Sequence, residues 1–258
     1  MNQSRDQYGK QAIQLLLTNV SGGPLTIAAA QLTSPLFRGD ILWEPTRGSF
    51  ELLPGQPTSL PARLPAAACG DGARSSAEQP VATVRYSAPG EVDVWEVRSA
   101  ADDPFRVLER NNRELCLAAE AAAVAAIVLD PRLEVAPDSR TAVIRMVITP
   151  REPTGAQPDT TAGSLTITSI DGTTLLAEPD SGPWPRNIQV KQGDPPTEIP
   201  LVIRPARCDP HAVAEDKVGT LLPLRVSLRG QEGLLKIGAG SALRGQIYDF
   251  VTAACTQE

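Results

Sequence analysis

No stretch of lysine and arginine in this chain is long enough to form a phosphate-binding stripe, and the formal net charge is −6, from 24 basic and 30 acidic residues. The electrostatic contribution that dominates nucleic-acid affinity is therefore missing, and no nucleic-acid partner is expected. No apolar run reaches the roughly 18–20 residues needed to cross a bilayer. The best candidate, 117–129, is short and alanine-rich, and it contains Glu120. No signal peptide is visible. A glycine-rich phosphate loop is absent, since Gly238-Ala239-Gly240 precedes no Lys-Ser/Thr and follows no βαβ pattern. Asp171-Gly172 and Gln192-Gly193-Asp194 are turn signals and lack the pattern of a calcium loop. No closely spaced cysteine pair points to zinc, and no Gly-x-Ser-x-Gly elbow points to an activated serine. Histidine occurs once, at 211, and aromatic residues make up only 4% of the chain, so the expected core is aliphatic.

Proline and glycine, by contrast, are plentiful, at 24 and 20 residues. That suits short strands joined by many turns. The four cysteines are placed in a pattern. Cys69 and Cys116 are 47 positions apart, as are Cys208 and Cys255, and both members recur at the same offset. This spacing predicts a duplicated domain with one disulfide per copy. Such a bond, closing a loop of about 48 residues, removes roughly 4 kcal/mol of unfolded-chain entropy.

Other segments repeat in the same order. Ile13-Gln14-Leu15-Leu16-Leu17-Thr18 matches Ile144-Arg145-Met146-Val147-Ile148-Thr149, and Gly23-Pro24-Leu25-Thr26-Ile27 matches Gly163-Ser164-Leu165-Thr166-Ile167. Between them the second copy gains extra residues within 150–162, which read as an exposed excursion. Thr58-Ser59-Leu60-Pro61 matches Thr197-Glu198-Ile199-Pro200, and Val84-Arg85-Tyr86-Ser87 matches Leu224-Arg225-Val226-Ser227. Val92-Asp93-Val94-Trp95-Glu96-Val97 alternates like a strand with one apolar face, and its counterpart is Leu234-Leu235-Lys236-Ile237. Asp103 reads as a helix N-cap with Pro104 at the first helical position. In the second copy Ile247, Val251 and Cys255 fall four apart on one helical face, although Ile247-Tyr248-Asp249-Phe250-Val251 also reads as strand.

About seven strands per ~120-residue copy predict an all-β chain of two tandem immunoglobulin-like sandwiches, each with a short C-terminal helix and one disulfide. Repeat 1 is assigned to 1–121 and repeat 2 to 122–258. In the second copy Leu133-Glu134-Val135 forms a strand-like lead; its counterpart in the first falls at residues 2 to 4. The chain is therefore expected to begin inside a longer precursor, with an export signal or lipid anchor upstream. An even cysteine number with matched spacing fits an oxidising compartment.

The candidate functional residues are His211, Asp209, Trp43 and Trp184. Asp209, His211, Glu215 and Asp216 cluster in sequence and could supply a base, but the simpler reading is a turn begun by Asp209-Pro210 and steadied by His211. A metal site on Cys208 and His211 would need Asp209, Glu215 or Asp216 and would abandon the bond to Cys255. Asp71-Gly72 in the first copy offers no histidine there, and no metal or cofactor is expected. Glu215 and Asp216, beside Lys217, read as a solvated loop. Trp43, in Trp-Glu-Pro, and Trp184, in Pro-Trp-Pro, fall at roughly equivalent positions; each is either a core aromatic or an exposed anchor for glycan or protein.

The run Cys208-Asp209-Pro210-His211-Ala212-Val213-Ala214-Glu215-Asp216-Lys217, with Gly219-Thr220 and Leu222-Pro223-Leu224, resembles a phrase of uncharacterised exported actinobacterial proteins. The opening Leu17 to Ile27 resembles the first hairpin of many bacterial immunoglobulin-like modules. The resemblance implies export, often with a lipid anchor, and a tandem sandwich; it carries no activity. The function expected is a non-catalytic extracytoplasmic binding or scaffolding module of the cell envelope. Its partner would be a protein or another envelope component, met on sandwich-end loops such as 150–162. Contact with the membrane would come only through a lost N-terminal anchor. The alternatives are a hydrolase using a groove between the repeats with His211 as base, and a carrier for a small ligand or metal ion.

Overall fold

The computed structural model describes the whole chain except residues 47–49, 71–77, 154–162, 210, 212, 214–215 and 257–258. Asp71-Gly72, Pro210, Glu215 and most of the 150–162 excursion thus lie outside the described residues. Two compact units result, Met1–Cys116 and Leu117–Glu258.

Alternating apolar side chains make the first unit a set of strands. After a 3-10 helix at Arg5–Lys10 come β1 (Ala12–Thr18), β2 (Leu25–Thr33), β3 (Ile41–Trp43), β4 (Phe50–Leu52), β5 (Pro57–Arg63), β6 (Val81–Ser87) and β7 (Trp95–Ala100). One sheet is the antiparallel pair β1-β5. The other runs β3-β2-β6-β7, with β4 also paired to β2. Their facing sides share one core, including Ile13, Leu15, Ile27, Leu32, Ile41 and Leu60.

Helix α1 (Val107–Val124) follows, and the division between the units falls within it. It starts later than the sequence suggests. Both Asp103 carboxylate oxygens accept bonds, from the Val107 and Leu108 N–H groups at 2.9 Å each, so Asp103 does cap the helix. Arg106, at φ 49°, intervenes between this aspartate and the first helical residue, and Pro104 lies in the preceding turn. Buried Asn112 donates from Nδ2 to the Leu36 and Ala68 carbonyls, at 2.6 and 3.0 Å. It ties the helix to the chain beside Cys69.

The second unit has β8 (Ala125–Val135), β9 (Ala142–Pro150), β10 (Ser164–Ile170), β11 (Leu176–Ala177), β12 (Ile188–Lys191), β13 (Thr197–Pro205), β14 (Leu221–Leu228), β15 (Gln231–Gly238) and helix α2 (Ser241–Cys255). Its sheets run β11-β13-β9-β8 and β12-β10-β14-β15. Met146, Ile148, Leu165, Ile167, Leu201 and Leu224 fill the space between them. The β14–β15 connection is the two residues Arg229 and Gly230, at φ 50° and 75°. Positive φ at both positions matches the twist of the flanking strands, and glycine meets it without steric cost.

Prolines fall where the ladder does not need their N–H. Pro61 lies opposite Gln14 and Pro200 opposite Arg145, at matching places in β5 and β13. Gln14 bonds away from β5, so Pro61 directs its nitrogen away from β1, to the free side of an edge strand.

The closing segment of the second unit is helical, and the strand alternative is not adopted. Leu243, Ile247, Phe250, Val251 and Ala254 form its buried face. Cys69 is bonded to Cys116 and Cys208 to Cys255, with Cα–Cα distances of 5.5 and 5.1 Å. Each helix is thereby fastened to the segment following a core strand, β5 or β13. Replacing Cys208 and Cys255 together by serine should lower the unfolding free energy by about 3–4 kcal/mol, read as a shift in the urea midpoint at unchanged slope.

Candidate functional site

His211 lies in a helical turn after Cys208 and is exposed. Its backbone N–H donates to Asp209 Oδ1 at 3.0 Å, and the Val213 N–H donates to the Asp209 carbonyl at 3.1 Å. The turn is thus held by the aspartate and not by the imidazole, which reverses the division of labour read from sequence. Among the described residues no side chain bonds to the imidazole, and no group of three His, Cys, Asp or Glu is placed to hold a metal ion.

Asp216 is not a solvated loop residue. Its carboxylate accepts the Gly219 N–H, the Tyr248 hydroxyl at 2.9 Å and the Thr174 hydroxyl. This half-buried knot fastens the Val218–Gly219 turn and the Thr174 loop to α2. Burial, the hydrogen bond to Asp216 and the charge of that carboxylate push the Tyr248 phenol up to about 12. These bonds join three segments of the second unit through one carboxylate.

Neither Trp43 nor Trp184 is an exposed anchor. Trp43 is 8% exposed, belongs to the first core and meets Phe50 edge-on, with ring centroids 5.3 Å apart. A shallow recess beside it is lined by Glu44, Pro45, Thr46 and Arg63. Trp184 is 3% exposed and donates from Nε1 to the Val202 carbonyl at 2.6 Å. Both rings do core work, the indole N–H of Trp184 being satisfied as burial requires.

Trp95, in the run that reads from sequence as a strand with one apolar face, is an exposed aromatic, as is Phe105. β7 pairs with β6 so that Trp95 lies opposite Tyr86, Val97 opposite Val84 and Ser99 opposite Ala82. Directly opposed residues share a face. Ala82, Val84 and Tyr86 pack on the first core, so Trp95 and Val97 point to the core side too. Even so they are 59% and 48% exposed, and Val92 and Val94 just before them are exposed as well. The equivalent of Val97 in the second unit is Leu235, opposite Leu224 and only 8% exposed. A signal was present in the sequence: Trp95 stands where its counterpart, opposite Val226, is Gly233. A Cβ on Gly233 would collide with Leu117. One unit has a neighbour pressed against this place, and the other has a large aromatic ring facing solvent.

No family model matches the chain, and no curated protein matches it. Among solved structures it is similar to the CsuC–CsuE chaperone–tip adhesion subunit pre-assembly complex of archaic chaperone-usher Csu pili from Acinetobacter baumannii. That likeness has 8% identity, covers 90% of this chain and 93% of the other, and has a TM-score of 0.23. It is also similar to the YadV chaperone, at 11% identity, 88% and 92% coverage and the same TM-score. At that score neither likeness bears on function, and the geometry above is what the functional reading rests on.

Tyr248 holds its proton in the folded state at pH values where the unfolded chain releases it. Its contribution to stability is complete below pH 10 and is lost as pH rises from the ordinary value of 10.0 to about 12. Ultraviolet titration should show a tyrosine ionising at about pH 12, and Tyr248→Phe should remove that step and flatten the alkaline loss of stability.

Proposed function

We propose that this chain is a non-catalytic, extracytoplasmic module of a bacterial cell envelope, built as tandem immunoglobulin-like sandwiches, that binds or holds a partner protein. The observation that carries the reading is the apolar face of β7. Trp95 and Val97 lie on one face of β7 and are 59% and 48% exposed, on a chain otherwise poor in aromatics. Such a face has the chemistry of a protein-binding surface, with tryptophan as its anchor. Two disulfides among the described residues fit an oxidising compartment. Among those residues no helix is long and apolar enough to cross a membrane. Kinship with exported actinobacterial proteins, and attachment through an N-terminal anchor, belong to the same proposal.

The hydrolase alternative needs His211 to work with a nucleophile and an orienting acid. Its neighbour Asp209 is instead engaged by the backbone of its own turn. An envelope protein retained by the immobilised chain should be lost on replacing both Trp95 and Val97 by serine, and retained unchanged by His211→Ala. Retention that survives the first change but not the second would reverse the assignment.

A further inference from the structure

The two copies use their matching tryptophans differently. In the second unit the Trp184 indole N–H donates to the Val202 carbonyl on β13. β11 pairs with β13 two residues further on, at Arg204. Residues two apart on a strand direct their backbone groups to the same side, so the indole carries the closure of that edge on to Val202. The counterpart of Pro200 is Pro61, which makes Arg63 on β5 the counterpart of Val202.

Trp43 makes no such bond. It is only 8% exposed, yet among the described residues no group accepts its indole N–H. The nitrogen is not sealed from water either, since among those residues the buried side-chain atom without a partner is Gln14 Oε1. The ring lines a recess of about 480 Å³ in the first unit, and there its N–H meets the surface. Arg63 lines the same recess, is exposed, and among the described residues forms no ion pair. An indole N–H and a guanidinium can only donate, so a group placed between them must accept from both. Leu42, Pro45, Phe50 and Pro61 supply an apolar wall beside these donors. Glu44 also lines the recess, exposed and without an ion pair among the described residues, and it repels any surplus negative charge.

We infer that this recess binds a singly charged carboxylate with an apolar body, one oxygen accepting the Trp43 N–H and the carboxylate pairing with Arg63. The inference goes beyond the binding face on β7 and does not depend on it. A carboxylate matches the donors in number and in charge. A phosphate or a dicarboxylate would set a second negative charge against Glu44. A cation would meet Arg63 and a donor that it cannot satisfy. The apolar wall suits a body of a few carbons, and the volume holds one. Two sources share this chemistry: a free monocarboxylic acid, and the carboxyl terminus of a peptide ending in an apolar residue.

The test follows the indole N–H resonances of the full chain in nitrogen–proton spectra. The titrants are hexanoate and, separately, an N-terminally capped tripeptide that ends in leucine with a free carboxyl group. Millimolar acid should move the Trp43 indole resonance downfield and leave that of Trp184, already bonded, in place. Hexanamide and the C-terminally amidated tripeptide should bind about tenfold more weakly or worse, as loss of a charged acceptor requires. Arg63→Gln should weaken acid binding by a similar factor, and Glu44→Gln should not weaken it. A response to hexanoate alone assigns the recess to free acids, a response to the peptide alone assigns it to chain ends, and a response to both supports the carboxylate as the group recognised. A Trp43 resonance that neither acid moves would overturn the inference. Equal binding of acid and amide would overturn it too, as would an Arg63→Gln protein that binds acid as well as the unaltered chain. The comparison of acid with amide needs no protein variant to fold.

Discussion

A strand at the side of a two-sheet unit leaves two kinds of surface in want of a neighbour. Its outward N–H and C=O groups need hydrogen bonds, and the apolar face beside it needs cover from water. β8 answers both needs at once for the second unit. Its backbone completes the ladder of β9, and its inward side chains, with Leu117, cover β15. The rest of that unit depends on it. The lost area would include Leu235 and Met146, and the bulge between Leu129 and Leu133 is where Gln246 fastens α2. In the first unit Asn2 and Gln3 bond the corresponding side of β1.

The disulfides act on the other end of each unit. An aliphatic core with few aromatics gains modest burial per residue, so a covalent tie that narrows the unfolded ensemble carries a large share of stability. Each bond joins the segment after a core strand to a helix, and each helix bears a polar side chain that bonds backbone elsewhere in its unit. Asn112 holds the Leu36 and Ala68 carbonyls, and Gln246 holds both sides of the β8 bulge. These are buried or half-buried amides with their bonds satisfied, so they fix position without leaving a reactive group.

The same pattern recurs elsewhere in the molecule. Its polar clusters are closed upon themselves: Asp209 on its turn, Asp216 on Thr174, Gly219 and Tyr248, Trp184 on a carbonyl. Trp95 and Val97, by contrast, are apolar side chains exposed along β7.

The cysteine spacing and the strand repeats were legible in the sequence because both are local or periodic. Alternation marks strands whatever they pack against, and equal separations betray duplication. The helix of the second unit was legible for the same reason, in the four-residue spacing of Ile247, Val251 and Cys255. The start of α1 was misjudged because Asp103 can cap from a turn before the helix, with Arg106 in a left-handed conformation between them. Trp43 and Trp184 could be either core or anchor in one dimension, since a tryptophan between prolines or beside a strand looks alike in both roles. Trp95 was legible only as part of a strand with one apolar face. Whether an alternating face is covered depends on a segment elsewhere in the chain being present to cover it, and only the tertiary structure supplies that information. The sequence by itself determined the elements, the duplication and the chemistry that the environment must tolerate. The tertiary structure decided which of two similar faces was closed and which stayed open, because closure is a property of long-range packing and not of any residue's own pattern.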